Sequence, residues 1–68
     1  MKSEEDRVLS KLLKVWSKVD FEAKDFKTIE NQFVVVKNYI KENPNSSNLS
    51  NLIHTLSRMM ELVEHYKK

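Results

Sequence analysis

The chain has 68 residues, twelve basic and ten acidic for a net charge of +2, and contains neither Cys nor Gly. One domain is the most such a length builds, and with only about 60% of its unfolded surface buried it is marginal without a disulfide, a metal or a second chain. Lack of Cys removes the disulfide and the commonest zinc ligand, lack of Gly disfavours hairpins and phosphate-cradling loops, and so balanced a charge does not mark a nucleic-acid binder by total alone.

No run of about 18 apolar residues is present, so no membrane span is expected. The opening Met1-Lys2-Ser3-Glu4-Glu5-Asp6 is acidic where a secretory leader needs basic and then apolar residues, which points to a cytoplasmic protein.

In chain order, Ser3 is placed to cap a first helix whose opening turn, Glu4-Glu5-Asp6, suits the positive end of the helix dipole. Apolar residues at Leu9, Leu12, Leu13, Trp16 and Val19 carry it over about residues 4–18. Val19-Asp20-Phe21 is the expected turn, with Asp20 or Asp25 capping the next element. A second helix, about 22–42, follows from Phe26, Ile29, Phe33, Val36 and Ile40, spaced 3, 4, 3, 4 as in a heptad seam. This longer period overrides the strand preference of Phe33-Val34-Val35-Val36, and Asn43-Pro44 stops the helix because Pro disfavours helical backbone in its predecessor. Ser46 or Ser47 then offers a cap for a third helix, about 47–66, with Leu49, Leu52, Leu56, Met59, Val63 and Tyr66 on one stripe and Ile53 and Met60 widening it.

The expected fold is all-α: one domain, 1–68, forming a small antiparallel three-helix bundle with short connections. If helices one and two ran on through Val19-Asp20-Phe21, the chain would be a helical hairpin that dimerises into a four-helix bundle.

Catalytic chemistry finds little purchase. Glu61 and His65 share a face, and His54 lies near the same line, but about 10 Å of helix separates His54 from Glu61, too far for one ion. Glu61 and His65 read as an ordinary i,i+4 pair. No Ser has a base and acid near it in sequence, and the sequons Asn45-Ser46-Ser47 and Asn48-Leu49-Ser50 read as turn and cap residues without a leader. No catalytic residue, metal site or cofactor is assigned, and the chain is not expected to be an enzyme.

Two surface features remain. Arg7, Lys11, Lys14 and Lys18 fall within a band of roughly 60° on helix one, a basic stripe able to track phosphates or meet an acidic partner. Apolar residues also exceed what a three-helix monomer covers: Val8, Leu13 and Val15 on helix one, Val34, Val35 and Tyr39 on helix two, and Ile53, Met60 and Leu62 on helix three. The expected function is therefore a small protein-interaction module (a regulator, adaptor or inhibitor) that self-associates. Val34, Val35, Tyr39, Ile53, Met60 and Leu62 would form the apolar centre of its interface and the basic stripe the rim. The alternative is a dimeric nucleic-acid-binding protein contacting backbone phosphates through that stripe.

Overall fold

A computed structural model of the chain describes residues 4–45 and 49–68. Three helices occupy them: α1 (Glu4–Trp16), α2 (Lys27–Glu42) and α3 (Leu49–Lys67). Each packs on the other two. Lys67, at the end of α3, bonds to Glu30 near the start of α2, so these two run antiparallel. Val8, early in α1, shares a hollow with Val35 in the second half of α2, and Val15, late in α1, shares one with Ile29 near the start of α2, so α1 and α2 are antiparallel as well. The order is up-down-up, the expected three-helix bundle, and α1 and α2 are separate helices rather than one continuous rod.

The core follows the heptad spacing of α2 and α3. Phe26, Ile29, Phe33 and Val36 are buried against Leu49, Leu52, Leu56, Met59 and Val63. Leu12 is the one fully buried hydrophobic of α1, with Val8, Leu9, Val15, Trp16 and Val19 half-buried around it. Tyr66, expected on the buried stripe, is 43% exposed, and Leu13, counted among the surplus apolar residues of helix one, is 47% exposed. Tyr66 stands at the free end of α3, where the bundle has no further layer to cover it.

Boundaries shift mainly between α1 and α2. The first helix ends at Trp16 rather than residue 18, and the second begins at Lys27 rather than 22. The tail of α1 tightens: the Lys18 and Val19 N–H groups donate to the carbonyls three residues back, on Val15 and Trp16. A separate turn then fills residues 20–25. Asp20 Oδ1 accepts from the Ala23 N–H at 3.1 Å, an N-cap on a single helical turn. The Asp25 N–H donates to the Asp20 carbonyl at 3.2 Å and the Lys24 N–H to the Phe21 carbonyl at 3.3 Å. That nested pair is the Schellman pattern of a helix C-terminus, with Lys24 in the left-handed region at φ 55° where Gly is usual. Asp20 is thus a cap, but for this turn and not for α2. Phe26 stands at the N-cap position of α2 without a side-chain hydrogen bond, and its burial in the core fixes where the helix starts.

At the other end of α2, the Asn43 N–H donates to the Tyr39 and Ile40 carbonyls, and Asn43 Nδ2 donates to Tyr39 O at 2.9 Å. Pro44 follows, as the sequence implied. The third helix begins at Leu49, and the Ser3, Ser46 and Ser47 caps expected from sequence lie outside the described residues.

Phe21, at the first position of the short turn, joins the pieces. Its ring lies 5.3 Å from Trp16, 5.8 Å from Phe26 and 4.9 Å from Tyr66, edge-on or tilted in each case. One side chain therefore contacts the end of α1, the start of α2 and the end of α3.

Two stability predictions follow from this connection. Lys24→Gly relieves left-handed strain at some cost in unfolded-state entropy and raises stability by about 0.5 kcal/mol, whereas Lys24→Val lowers it by about 1 kcal/mol or more. Denaturant midpoints that move in the same direction for both variants would refute the strain assignment. Phe21→Ala removes three aromatic contacts and lowers stability by about 2 kcal/mol, read from the same curves.

Candidate functional site

The bundle measures 36 × 21 × 15 Å, and the third helix covers each helix pair on one side only. Each pair of helices consequently presents a groove to solvent, and the residues singled out from sequence distribute over three of them.

Between α2 and α3, Val34 and Met60 line one hollow with Phe33, Val63, Glu30, Lys37 and Glu64. Ile53 lies two turns before Met60 on the same flank of α3. Val34 is 55% exposed and Ile53 43%, while Met60 is half-buried against the core. The Glu30–Lys67 ion pair, 2.5 Å apart and exposed, closes one end. Lys67 titrates above its ordinary value chiefly because the Glu30 carboxylate accepts its hydrogen bond.

Between α1 and α3, Leu9, Leu52 and Asn51 line a second hollow with Glu5 and Asp6. Leu62 stands three turns beyond Asn51 on that flank, about 200° around α3 from Met60. It is 45% exposed, Leu13 on α1 is 47% exposed, and Tyr66 continues the strip.

The groove between α1 and α2 is chemically different. Arg7 and Lys11 line its upper half with Glu4, Val8, Gln32 and Val35 around a hollow of about 580 Å³. Lys18 lines the lower half with Val15, Val19, Asp25, Thr28 and Ile29 around about 290 Å³. Lys14 is exposed between them at the outer edge of the same helix face. The stripe is thus three helical cations plus Lys18, which lies past the end of α1 but still reaches the groove. Val35 is 52% exposed on the opposite wall.

The six apolar residues expected to form one interface therefore do not share a face. Val34, Ile53 and Met60 belong to the α2/α3 groove, Val35 to α1/α2, and Leu62 to α1/α3. Tyr39 is half-buried, packed on the core near the acidic start of α1. This division was not legible from sequence, because neighbours such as Val34 and Val35 differ by about 100° and their grooves exist only once α1 and α3 are docked. Tyr66 was missed as a surface residue for the converse reason: its spacing matches the core.

His54, Glu61 and His65 are all exposed on the outer side of α3. Among the described residues, no group of three or more His, Cys, Asp or Glu is arranged to hold a metal ion. No described helix is long and apolar enough to cross a membrane.

Tyr39 offers a test of the antiparallel α1/α2 pairing. Partial burial, then the carboxylates of Glu5 and Glu4, raise its pKa above 10.0 by disfavouring the phenolate. The folded chain then holds this proton more tightly than the unfolded one, so the contribution is complete below pH 10 and stability falls as pH rises beyond it. Ultraviolet titration of Glu5→Gln should show the Tyr39 transition moved down toward 10; an unmoved transition would contradict the pairing.

Comparison with known proteins finds no matching family model, no matching curated protein and no matching solved structure.

Proposed function

We propose that this chain is a small, non-enzymatic protein-interaction module that self-associates and acts by covering a partner's surface. The observation that supports it is unspent surface. A monomer of 8.1 kDa folded to the usual density exposes about 4500 Å², whereas this one exposes 5252 Å². That surface is also apolar in the places that matter. Leu13, Val34, Val35, Ile53, Leu62 and Tyr66 are each 43–55% exposed, against ten hydrophobic residues buried in the core. Desolvating such residues is the main favourable term in association, and a core this thin gains from it.

Val34 with Ile53, and Leu13 with Leu62, then form two separate contact strips flanking α3. Regulators, adaptors and inhibitors are alike in this mechanism, which needs only steric occupation and no chemistry at the contact.

Light scattering over a wide concentration range is the test. The native chain should gain mass with concentration. One of the two double substitutions, Val34→Asp/Ile53→Asp or Leu13→Asp/Leu62→Asp, should hold it monomeric. Because these sites are exposed, the thermal midpoint should barely move, with stability within about 0.5 kcal/mol per site. A chain that stays monomeric up to millimolar concentration overturns self-association; doubles that unfold it assign these residues to the core instead.

A further inference from the structure

The α1/α2 groove combines an apolar floor with a cationic wall, a pairing that neither of the other two grooves has. Its floor is apolar, made by Val8, Val15, Val19 and Ile29, with Val35 exposed on the α2 wall. Its α1 wall is cationic along its length, with Arg7, Lys11 and Lys18 lining the two hollows and Lys14 between them. The α2 wall supplies Thr28 and Gln32, which are neutral. The carboxylates lining the hollows are Glu4 and Asp25, one at each end, so the middle of the groove is positive.

The Glu30–Lys67 ion pair lies on the far side of α2. Arg7 and Lys11 are four residues apart and Lys11 and Lys14 three, spacings at which like charges destabilise a helix. The Arg7–Lys11–Lys14 spacing therefore costs α1 some stability, although Lys14 in the last turn suits the negative end of the helix dipole.

We infer that this groove is a docking site for an acidic amphipathic helix of a partner protein. The helix would lay its apolar face on the valine floor and set its carboxylates against Arg7, Lys11, Lys14 and Lys18. The groove runs the length of α1, 13 residues or roughly 20 Å at about 1.5 Å per residue, which accommodates a partner helix of some three to four turns. Apolar contact supplies affinity and the cations set orientation and rate of encounter, the usual division in helix-in-groove recognition. Nucleic acid suits the site less well, because a phosphate backbone matches the lysines but leaves the valine floor without an apolar partner. This assignment rests on reading the chain as an interaction module, and it concerns a different face from the strips assigned to self-association.

The probe is a fluorescein-labelled 14-residue helical peptide with Leu at positions i, i+3, i+4 and i+7 and Glu on the flanks. Two controls accompany it: a version with every Glu replaced by Gln, and a 20-base-pair mixed-sequence duplex. Binding to the native chain is followed by anisotropy, and backbone amide shifts are mapped by NMR. The Glu peptide should bind at least tenfold more tightly than the Gln peptide and weaken severalfold between 50 and 300 mM salt. Amide shifts should centre on Lys11, Gln32 and Val35. Lys11→Gln/Lys14→Gln should lower affinity at least tenfold while the thermal midpoint holds or rises, an opposition that a structural role would not produce. Val35→Asp should abolish binding with the Val34→Asp/Ile53→Asp variant unaffected.

Equal affinity for the Glu and Gln peptides, no binding of either, shifts centred on Leu62 or Val34, or tighter binding of the duplex than of the Glu peptide would each overturn the inference. Light scattering on the peptide-free chain reads self-association independently. Loss of peptide binding alone removes this groove, and loss of self-association alone removes the strips beside α3.

Discussion

The contact on which the bundle depends is the ring of Phe21 lodged among Trp16, Phe26 and Tyr66. Ten residues separate α1 from α2, long enough to leave the two helices free to splay. The short turn at 20–25 removes that freedom by closing on itself through the Asp20 cap and the paired carbonyl contacts at Lys24 and Asp25. It then holds Phe21 where three helix ends meet. Edge-on aromatic pairs are each worth about 0.5–1.5 kcal/mol beyond their buried area, a large share of the stability a domain of this size possesses. Lys24 accepts left-handed backbone in a chain that has no Gly, so the closed turn is retained in spite of its local strain.

Past that junction the molecule is thin. The core is a single seam of α2 and α3 residues with Leu12 set into it from α1. A bundle three helices deep has no central helix, and every apolar residue just off the seam is left at a groove edge. The radius of gyration, 12.3 Å, exceeds the roughly 11 Å expected of an equally long compact domain, in keeping with the surplus surface. Exposed valines and leucines on one small chain are individually unremarkable; their alignment along grooves is what makes them useful as contact surfaces.

Charge divides those grooves by kind. Between α2 and α3 the cations and carboxylates are mixed, as with Glu30, Lys37, Glu64 and Lys67, and between α1 and α3 the hollow is lined by the carboxylates Glu5 and Asp6. Along α1 the cations stand together, with carboxylates confined to the groove's ends. A positive wall over an apolar floor is selective in a way that either feature alone is not, because an acidic ligand without an apolar face, or an apolar one without charge, satisfies only half of it.

The helices and most of the core were determined by sequence. The 3, 4, 3, 4 spacing from Phe26 to Ile40 and from Leu49 to Val63 admits one buried face per helix, and Asn43-Pro44 can only end one. The four cations at helical spacing were legible for the same reason, since periodicity is a local property. The start of α2 was not, because Phe26 is placed by burial rather than by a capping side chain. Nor was the turn at 20–25, whose closure requires an unfavourable conformation at Lys24 that no local preference announces. Tertiary structure alone decided which surplus apolar residues share a groove. Val34 and Val35 are adjacent in the chain yet face different neighbours, and a helix cannot specify what lies on either side of it until the other helices have docked.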